Sequence, residues 1–277
     1  MPFGLLFLAA AVAGFVGALD GIGGGLVLTP ILTAFGVDIR EAIAINSVSV
    51  IAISSIASPP FLRHHLPNLK VCAFLECFAI SGALLGAALT GAVSRHTLFL
   101  FCGFVVLVSG LALWKTWRRG GSGPLLKSES LLKGTILAGS YYDSADGKTV
   151  IYEGKHPVLG AVCIFGVGLI AGLLGGGGGI FLVLVADLVM GFPTKVALTM
   201  STLMMGTIAL GGLDVYLETG LVNTRWLFPI TLGMIMGAFL GARLLRDLKS
   251  QAVRGIFICV LTLLGLEMIW NGVHIFR

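Results

Sequence analysis

The feature that most constrains this chain is a cluster of glycines inside a long apolar stretch, and it occurs twice. One cluster spans residues 21–25 within the apolar run 3–35, and the other spans residues 175–179 within the run 158–190. Each glycine in a helix interior destabilises that helix by roughly 1 kcal/mol relative to alanine. Two such breaks, about 154 residues apart, therefore predict two unwound backbone segments in otherwise lipid-compatible sequence, as in the binding sites of secondary transporters.

The composition places the chain among membrane proteins. Hydrophobic residues make up 57% of the sequence, charged residues make up 11%, and the mean hydropathy is +1.01. A soluble domain carries roughly 25% charged residues. The formal charge of +5 is spread over loop positions and forms no basic patch, so we expect a lipid bilayer and no nucleic acid as a partner.

The pattern of reactive residues gives no indication of an enzyme. The chain has no nucleophile–base constellation, no metal-binding spacing such as HExxH and no phosphate-binding loop, so we predict no catalytic residue, no metal and no cofactor. The five cysteines all fall in apolar segments without a CxxC pair, and we expect them to be buried and reduced. They are Cys72, Cys77, Cys102, Cys163 and Cys259.

The apolar segments follow the same order in both halves of the chain. Each half has one glycine-broken segment followed by three uninterrupted segments of about spanning length. Residues 42–47 correspond to 197–202, and the Gly-x3-Gly stretch 82–87 corresponds to 237–242. The segments are 3–19 with 26–35, 42–58, 69–93 and 97–117, then 158–174 with 180–190, 194–213, 226–245 and 252–275.

The distribution of positive charge favours a specific topology. If each glycine-broken segment doubles back on itself, 14 of the 18 Lys and Arg residues lie on one side and only four on the other. The positive-inside rule places the larger group in the cytoplasm and both termini outside. The second arms, 26–35 and 180–190, then form re-entrant half-helices of about 15 Å.

These patterns predict an all-α polytopic membrane protein with two inverted repeats. Each repeat comprises a glycine-broken re-entrant helical hairpin plus three transmembrane helices. We assign residues 1–117 to the N-terminal repeat, 118–155 to a cytoplasmic connector and 156–277 to the C-terminal repeat. Two short β-prone stretches around the turn 144–147 predict a β-hairpin in the connector. The N-terminal apolar run lacks a basic leader and is echoed in the second half, so we expect it to be mature structure.

Candidate ligands lie at the two glycine clusters and on the helix that follows each cluster. Free N–H groups and the positive end of a helix dipole suit an anion, and glycine lets a bulky anion reach the backbone. Short polar side chains at equivalent positions of the two halves add hydrogen bonds. The predicted substrate-binding residues are Gly23, Gly24, Gly25, Asn46, Ser47, Gly177, Gly178, Gly179, Ser201 and Thr202.

Four acidic residues fall inside predicted spans. Asp20 directly precedes the first glycine cluster, which makes it the candidate for proton coupling, and its position in the second half is occupied by Leu174. An acid at the membrane interface is the alternative interpretation for Asp20. The others are Glu76, Asp187 and Glu267.

At these residues the chain resembles the TauE/SafE sulfite exporter family, also called the toluene sulfonate uptake permease family. The resemblance covers residues 15–117 and 158–270 and rests on the glycine-rich stretches, the Ala-rich polar element after each of them, and the Gly-x3-Gly segments. Asn46 stands where the family more usually has Thr or Ser. The resemblance implies a multi-pass protein of the bacterial inner membrane that carries sulfite, sulfoacetate or another organosulfonate.

We therefore expect a secondary transporter for a small sulfur-containing oxyanion, working by alternating access around a midplane site. Two alternatives remain open at the level of sequence. A cation carrier or channel would use the buried carboxylates as ligands, and an intramembrane redox or assembly protein would use the cysteines.

Overall fold

The structure is a computed structural model with two sets of helices in the order that the sequence predicts. The described residues are 3–20, 24–63, 67–118, 137–143, 148–176, 178–222, 224–244 and 262–273. In the first half, α1 spans Phe3–Asp20, α2 Gly25–Ala34, α3 Ile39–Arg63, α4 Leu69–Ala92 and α5 Arg95–Arg118. In the second half, α6 spans Pro157–Leu173, α7 Gly179–Leu184, α8 Thr194–Glu218, α9 Thr224–Leu244 and α10 residues 262–273.

Five of the described helices, α3, α4, α5, α8 and α9, are long and apolar enough to cross a membrane. The shorter apolar helices include α2 and α6, which flank the two glycine breaks. Because a lipid-exposed backbone must satisfy its own hydrogen bonds, helices of this length are the expected spanning element. The predicted all-α, multi-pass membrane protein is confirmed at this level.

A short hairpin joins the two helical sets. Strand β1 (Ala138–Asp143) pairs antiparallel with β2 (Lys148–Glu153). The hairpin is tied to the start of α4, where Asn68 Nδ2 donates to the Ala138 carbonyl at 3.1 Å. It is also tied to the segment before α8, since the rings of Tyr152 and Phe192 meet edge to face with centroids 5.7 Å apart. The start of α4 and the start of α8 therefore lie at the same end of the molecule.

Helices α4 and α6 pack backbone against backbone through glycines. A methyl group on Gly82 would overlap the carbonyl of Phe165, and one on Gly168 would overlap the carbonyl of Ala79. One turn further along, Gly86 lies against Leu169. The contacts advance in the same direction along both helices, so α4 and α6 run parallel. Without a hydrophobic driving force between helices in lipid, such small residues permit the close van der Waals packing that holds the pair together.

Helices α1 and α9 repeat this packing with equivalent residues. A methyl group on Gly237 would overlap the carbonyl of Ala11, and one on Gly14 would overlap the carbonyl of Met234. These contacts are equivalent to those between α4 and α6. Gly237 and Met234 of α9 correspond to Gly82 and Ala79 of α4, and Ala11 and Gly14 of α1 correspond to Phe165 and Gly168 of α6. Each half thus contributes one helix to a close pair with the other half.

Helices α3 and α8, which pack against each other, are the most deeply buried of the five helices long enough to span a membrane. Ser54 Oγ donates to the carbonyl of Thr202 at 2.8 Å. One turn earlier on α3, Val50 lies on one side of Gly176, and Ala209 of α8 lies on the other. The contact residues on α8 rise in number as those on α3 fall, so the two helices run antiparallel.

The second arm of the glycine-broken segment differs between the two halves. In the first half α2 is a continuous α-helix of 10 residues. In the second half α7 has 6 residues and passes into a π-helical turn, Val185–Val189. The amide of Met190 bonds to the carbonyl of Val185, five residues back, which widens the helix. Gly191, with φ of 71°, then ends the turn in a left-handed conformation that favours glycine.

Candidate functional site

The first glycine break turns the chain back along α1. Gly24 caps α2 with φ of 63°, and a methyl group there would lie 2.7 Å from the carbonyl oxygen of Ala13. Residue 24 therefore lies beside the middle of α1. As glycine has no side chain, the N-terminus of α2 has no side-chain cap. The first amides of α2, on Gly25 and Leu26, have no carbonyl one turn earlier within the helix to bond, as at any helix N-terminus.

The second glycine break turns the chain back along α6 in the same way. Gly176 donates its N–H to the Ala171 carbonyl at 2.6 Å, which ends α6. A methyl group on Gly178 would lie 2.8 Å from Cβ of Ala171, so the chain entering α7 passes beside α6. Gly175, with φ of 69°, lies so close to α3 that a methyl group would overlap the carbonyl of Ile43. The second break therefore lies against α3 as well as α6.

Asn46 of α3 contacts both glycine-broken segments. Its side chain is fully buried, and Nδ2 donates to the carbonyl of Leu174 at the end of α6, at 3.0 Å. A methyl group on Gly25 would lie 2.7 Å from that Nδ2 and 2.9 Å from Oδ1. Oδ1 is buried and accepts no hydrogen bond within the described part of the chain. Asn46 therefore joins the start of α2 to the end of α6, with one acceptor left over.

Ser201 occupies the position of Asn46 in the second half. It is 1% exposed, and its Oγ donates to the carbonyl of Gly179, the first residue of α7, at 2.8 Å. The structure thus places a buried polar side chain of the following helix against the start of each second arm. In the first half this side chain is an amide, and in the second it is a hydroxyl.

The neighbouring hydroxyls bond within their own helices. Ser47 Oγ lies 3.5 Å from the carbonyl of Ile43, and Thr202 Oγ1 donates to the carbonyl of Leu198 at 2.9 Å. This back-bonding is common for Ser and Thr in membrane helices. Both side chains are buried, and their oxygen lone pairs remain available as acceptors.

For three of the predicted site residues the structure describes no side-chain or backbone contact with the rest of the site. Gly23 and Gly177 lie outside the described residues. Asp20 is the last residue of α1, and its side chain lies outside the described part of the chain. Their predicted roles stay predictions.

The acid with the clearest intramembrane contact is Glu76. Its half-buried side chain on α4 accepts a hydrogen bond from Thr207 of α8, with 3.1 Å between Oε1 and Oγ1. Asp187 lies in the π-helical turn, and Glu267 is exposed on α10. Among the described residues, no group of three or more His, Cys, Asp or Glu side chains could hold a metal ion.

Positive side chains of the described helices lie near the helix ends and away from the glycine breaks. Arg95 pairs with Asp38 at 2.8 Å, and Arg40 Nη2 donates to the carbonyl of Val93 at 2.8 Å. The first contact ties the loop after α2 to the start of α5, and the second ties the start of α3 to the end of α4. Arg95 and Asp38 line an open cleft of about 620 Å³, together with Thr33 and Asn271. The cleft lies at the end of α2, at the same end of the molecule as the start of α3.

Two buried polar residues near the candidate site were missed by sequence reasoning. Ser54 lies two turns beyond Asn46 on α3 and bonds across to α8. Thr29 lies one turn beyond Gly25 on α2; it is 2% exposed, and its Oγ1 has no hydrogen-bond partner among the described residues. The sequence did contain a signal for both residues, because each lies on the same helix face as a predicted site residue. Thr29 is four residues after Gly25, and Ser54 is eight residues after Asn46.

Comparison with known proteins gives relatives along the whole chain. The chain is 28% identical over 284 residues to "Probable membrane transporter protein YunE" of Bacillus subtilis (strain 168), covering 99% of both proteins. It is 24% identical over 269 residues to "Probable membrane transporter protein YfcA" of Escherichia coli (strain K12), covering 97% of this chain and 90% of that protein. No solved structure matches.

These relatives are named as membrane transporters and not as enzymes. The family model described as "Sulfite exporter TauE/SafE" matches residues 6–268, which include both glycine breaks and all of the helices that contact them. A match of this extent covers both halves of the chain and not one motif. The chain therefore belongs to the TauE/SafE sulfite exporter family.

Proposed function

We propose that this membrane transporter carries a small sulfur-containing oxyanion, such as sulfite, sulfoacetate or another organosulfonate. The site lies where the two glycine-broken segments meet α3 and α8. The observation that carries the proposal is the position of Asn46, which contacts Gly25 of one segment and Leu174 of the other. A single buried side chain that touches both breaks supports one shared site and not two separate helix kinks.

Inversion of the two repeats is supported by the directions of equivalent helices. Residues 42–47 of α3 correspond to residues 197–202 of α8 in sequence. Ser54 contacts Thr202, and Val50 faces Ala209, so these equivalent helices run in opposite directions. Two repeats in the same orientation would place them parallel. Alternating access then corresponds to exchanging the conformations of two halves around the site between them.

Re-entry of the second arms is supported by the contacts just after each break. Gly24 lies beside Ala13, seven residues before the end of α1. Gly178 lies beside Ala171 and Val167, two and six residues before the end of α6. A segment that continued straight across the membrane would not return to these positions. An exposed backbone at this depth is tolerated where it lines a cavity or is buried in protein.

An anion fits the available groups better than a cation does. The N-terminus of α2 presents amides without a side-chain cap, and such groups at the positive end of a helix favour negative charge. The proposed ligands are the backbone amides of Gly23, Gly24, Gly25, Gly177, Gly178 and Gly179, and the side chains of Asn46, Ser47, Ser201 and Thr202. With no cation in the set, an anion would be held weakly and released readily, which suits a carrier.

We further propose that protons or the membrane potential drive transport, with Asp20 as the proton-coupling group. The protein would lie in the bacterial inner membrane with the connector 118–155 in the cytoplasm and both termini outside. The hairpin contacts support this topology, since the hairpin lies at the end of the molecule that holds Lys70 and Lys195.

Flux measurements on the full chain in liposomes test the proposal. Radiolabelled sulfite, sulfoacetate and sulfate are supplied in turn, with and without an imposed pH gradient and membrane potential. We expect saturable flux of a sulfur-containing anion. The absence of any saturable anion flux, in either direction, contradicts the proposal. Flux of a monovalent or divalent cation instead favours the alternative of a cation carrier, in which Glu76 is the best-placed acid.

A further inference from the structure

The orientation of the Asn46 amide follows from its partner. The carbonyl of Leu174 can only accept a hydrogen bond, so the Asn46 atom 3.0 Å from it is the amide nitrogen. The choice between the two ends of an amide is normally made from the hydrogen-bond network. Here the Leu174 carbonyl, which can only accept, fixes the orientation of the amide. The other end of the Asn46 amide is therefore the acceptor Oδ1.

This Oδ1 lies at the uncapped N-terminus of α2. A methyl group on Gly25 would lie 2.9 Å from it, so it borders the first residue of that helix. Asn46 is 0% exposed, and Oδ1 accepts no hydrogen bond among the described residues. Leaving a buried acceptor unpaired is unfavourable, and such groups in native proteins usually have a ligand, a water or a function.

The two features of this site have opposite requirements. The amides at the start of α2 favour negatively charged oxygens. Oδ1 repels an oxygen that carries only lone pairs and binds a group that donates an O–H or N–H. A fully deprotonated oxyanion satisfies the first requirement and leaves the second unmet. An anion with a donor group of its own satisfies both.

We propose that the carrier selects oxyanions that also bear a hydrogen-bond donor, and that Asn46 Oδ1 accepts from that donor. This inference rests on the proposed function and specifies its substrate class. The class includes singly protonated sulfite and hydroxyalkanesulfonates. It disfavours sulfate, simple alkanesulfonates and, among the anions named above, sulfoacetate, since none of these has a donor at neutral pH. The equivalent residue of the other half, Ser201, is a hydroxyl that donates its proton to the Gly179 carbonyl.

A pair of isosteric competitors tests this inference in the reconstituted wild-type chain. The measurement is inhibition of labelled sulfite or sulfoacetate flux, whichever anion is carried, by 2-hydroxyethanesulfonate and by propane-1-sulfonate. The two monoanions differ only by a hydroxyl in place of a methyl group. Because a buried acceptor built to receive a donor rejects an analogue without one, we expect half-inhibition by the hydroxylated anion at a concentration about tenfold lower.

Two variants locate the source of the preference. Asn46→Leu, similar in volume and unable to accept, is expected to bring the two half-inhibition concentrations to within about twofold. Ser109→Ala on α5 is the control, since it removes a buried hydroxyl that bonds only to the Val105 carbonyl in the structure, and it should keep the preference. Elution as a single species in detergent shows that each variant is folded.

The outcomes separate the inference from the proposed function. Equal inhibition of the wild type by both competitors overturns the inference and leaves the oxyanion carrier intact. A preference that persists in folded Asn46→Leu also overturns it. If Asn46→Leu does not fold, the wild-type comparison alone decides. Absence of labelled anion flux overturns the proposed function, and the inference with it.

Discussion

Ser54 of α3 and Thr202 of α8 are joined by a hydrogen bond of 2.8 Å between a side-chain hydroxyl and a backbone carbonyl. The same hydroxyl lies against Gly206, where an added methyl group would be 2.6 Å from it. The bond connects the two halves of the chain about one helical turn beyond Val50, which lies against Gly25 and Gly176. Motion of one half relative to the other must therefore either preserve this contact or break it.

Replacing Gly25 by alanine should impair transport without unfolding the protein. Alanine suits the first turn of a helix, but its methyl group would lie 2.7 Å from Asn46 Nδ2 and 3.1 Å from Val50 Cγ2. The Asn46 amide must then shift away from the site. We expect liposome flux to fall by at least about tenfold, since small displacements of positioning groups have large effects. Gly166→Ala on α6, where the added methyl group meets nothing within 4 Å, is the matched control and should stay near the wild-type rate.

Replacing Gly168 by alanine should destabilise the fold. The methyl group would overlap the backbone carbonyl of Ala79, which cannot move aside as a flexible side chain can. Overpacking of this kind destabilises by about 1–3 kcal/mol. The thermal midpoint in detergent should therefore fall, and Gly166→Ala on the same helix should leave it unchanged or raise it. Equal midpoints for the two variants would show that α4 and α6 are not in close contact.

Replacing all five cysteines by alanine or serine should leave transport unchanged. The expectation that the cysteines are buried is confirmed for Cys72 and Cys102 and is wrong for Cys77, which is exposed, while Cys163 is partly exposed. None of these four forms a disulfide. Because none of the four described cysteines lies at the glycine breaks, no role in binding is expected of them. Loss of flux in a variant that still elutes as a folded species would favour the redox or assembly alternative.

The cysteine-free chain then allows the topology to be measured. Arg95→Cys introduces a thiol at a position whose side chain is 65% exposed, and Lys155→Cys introduces one at an exposed position beside the hairpin. In intact cells, a membrane-impermeant maleimide should label the first and not the second. The reverse pattern would place the connector outside and overturn the proposed orientation.

Asp20→Asn should separate proton coupling from binding. If Asp20 takes up the coupling proton, the neutral amide cannot do so, and accumulation driven by a pH gradient should be lost while anion exchange continues. Parallel measurement in Glu76→Gln tests the other well-placed acid, which bonds to Thr207. Gradient-driven accumulation that survives Asp20→Asn and fails in Glu76→Gln would transfer the role to Glu76.

The helical framework could be predicted from the sequence because apolar length and glycine position are local signals. The start of α2 at Gly25 and of α7 at Gly179 coincides with the predicted ends of the glycine clusters. The Gly-x3-Gly spacing at residues 82–87 likewise predicted close packing, and Gly82 lies directly against α6. These features depend on residues that are near each other in the chain.

The site contacts could not be predicted in the same way. The bond from Asn46 to Leu174 joins residues 128 apart in sequence, and the acceptor is a backbone carbonyl, which has no signature in the amino-acid type. The π-helical turn Val185–Val189 also has no distinct pattern, since its residues would suit an ordinary α-helix. The sequence identified Asn46 as an unusual polar residue, but it could not identify its partner.

The reciprocal packing of α1 on α9 and of α6 on α4 has a consequence for biogenesis. The glycine face of α1 is synthesised first and its partner is among the last helices made, so this face must wait for nearly the whole chain to enter the membrane. Neither half buries its own glycine faces, and a fragment ending before the hairpin would leave the Gly82 surface of α4 and the Gly14 surface of α1 uncovered. Two fragments divided at the connector should instead associate when they are synthesised together, because each supplies the helices that cover the glycine faces of the other.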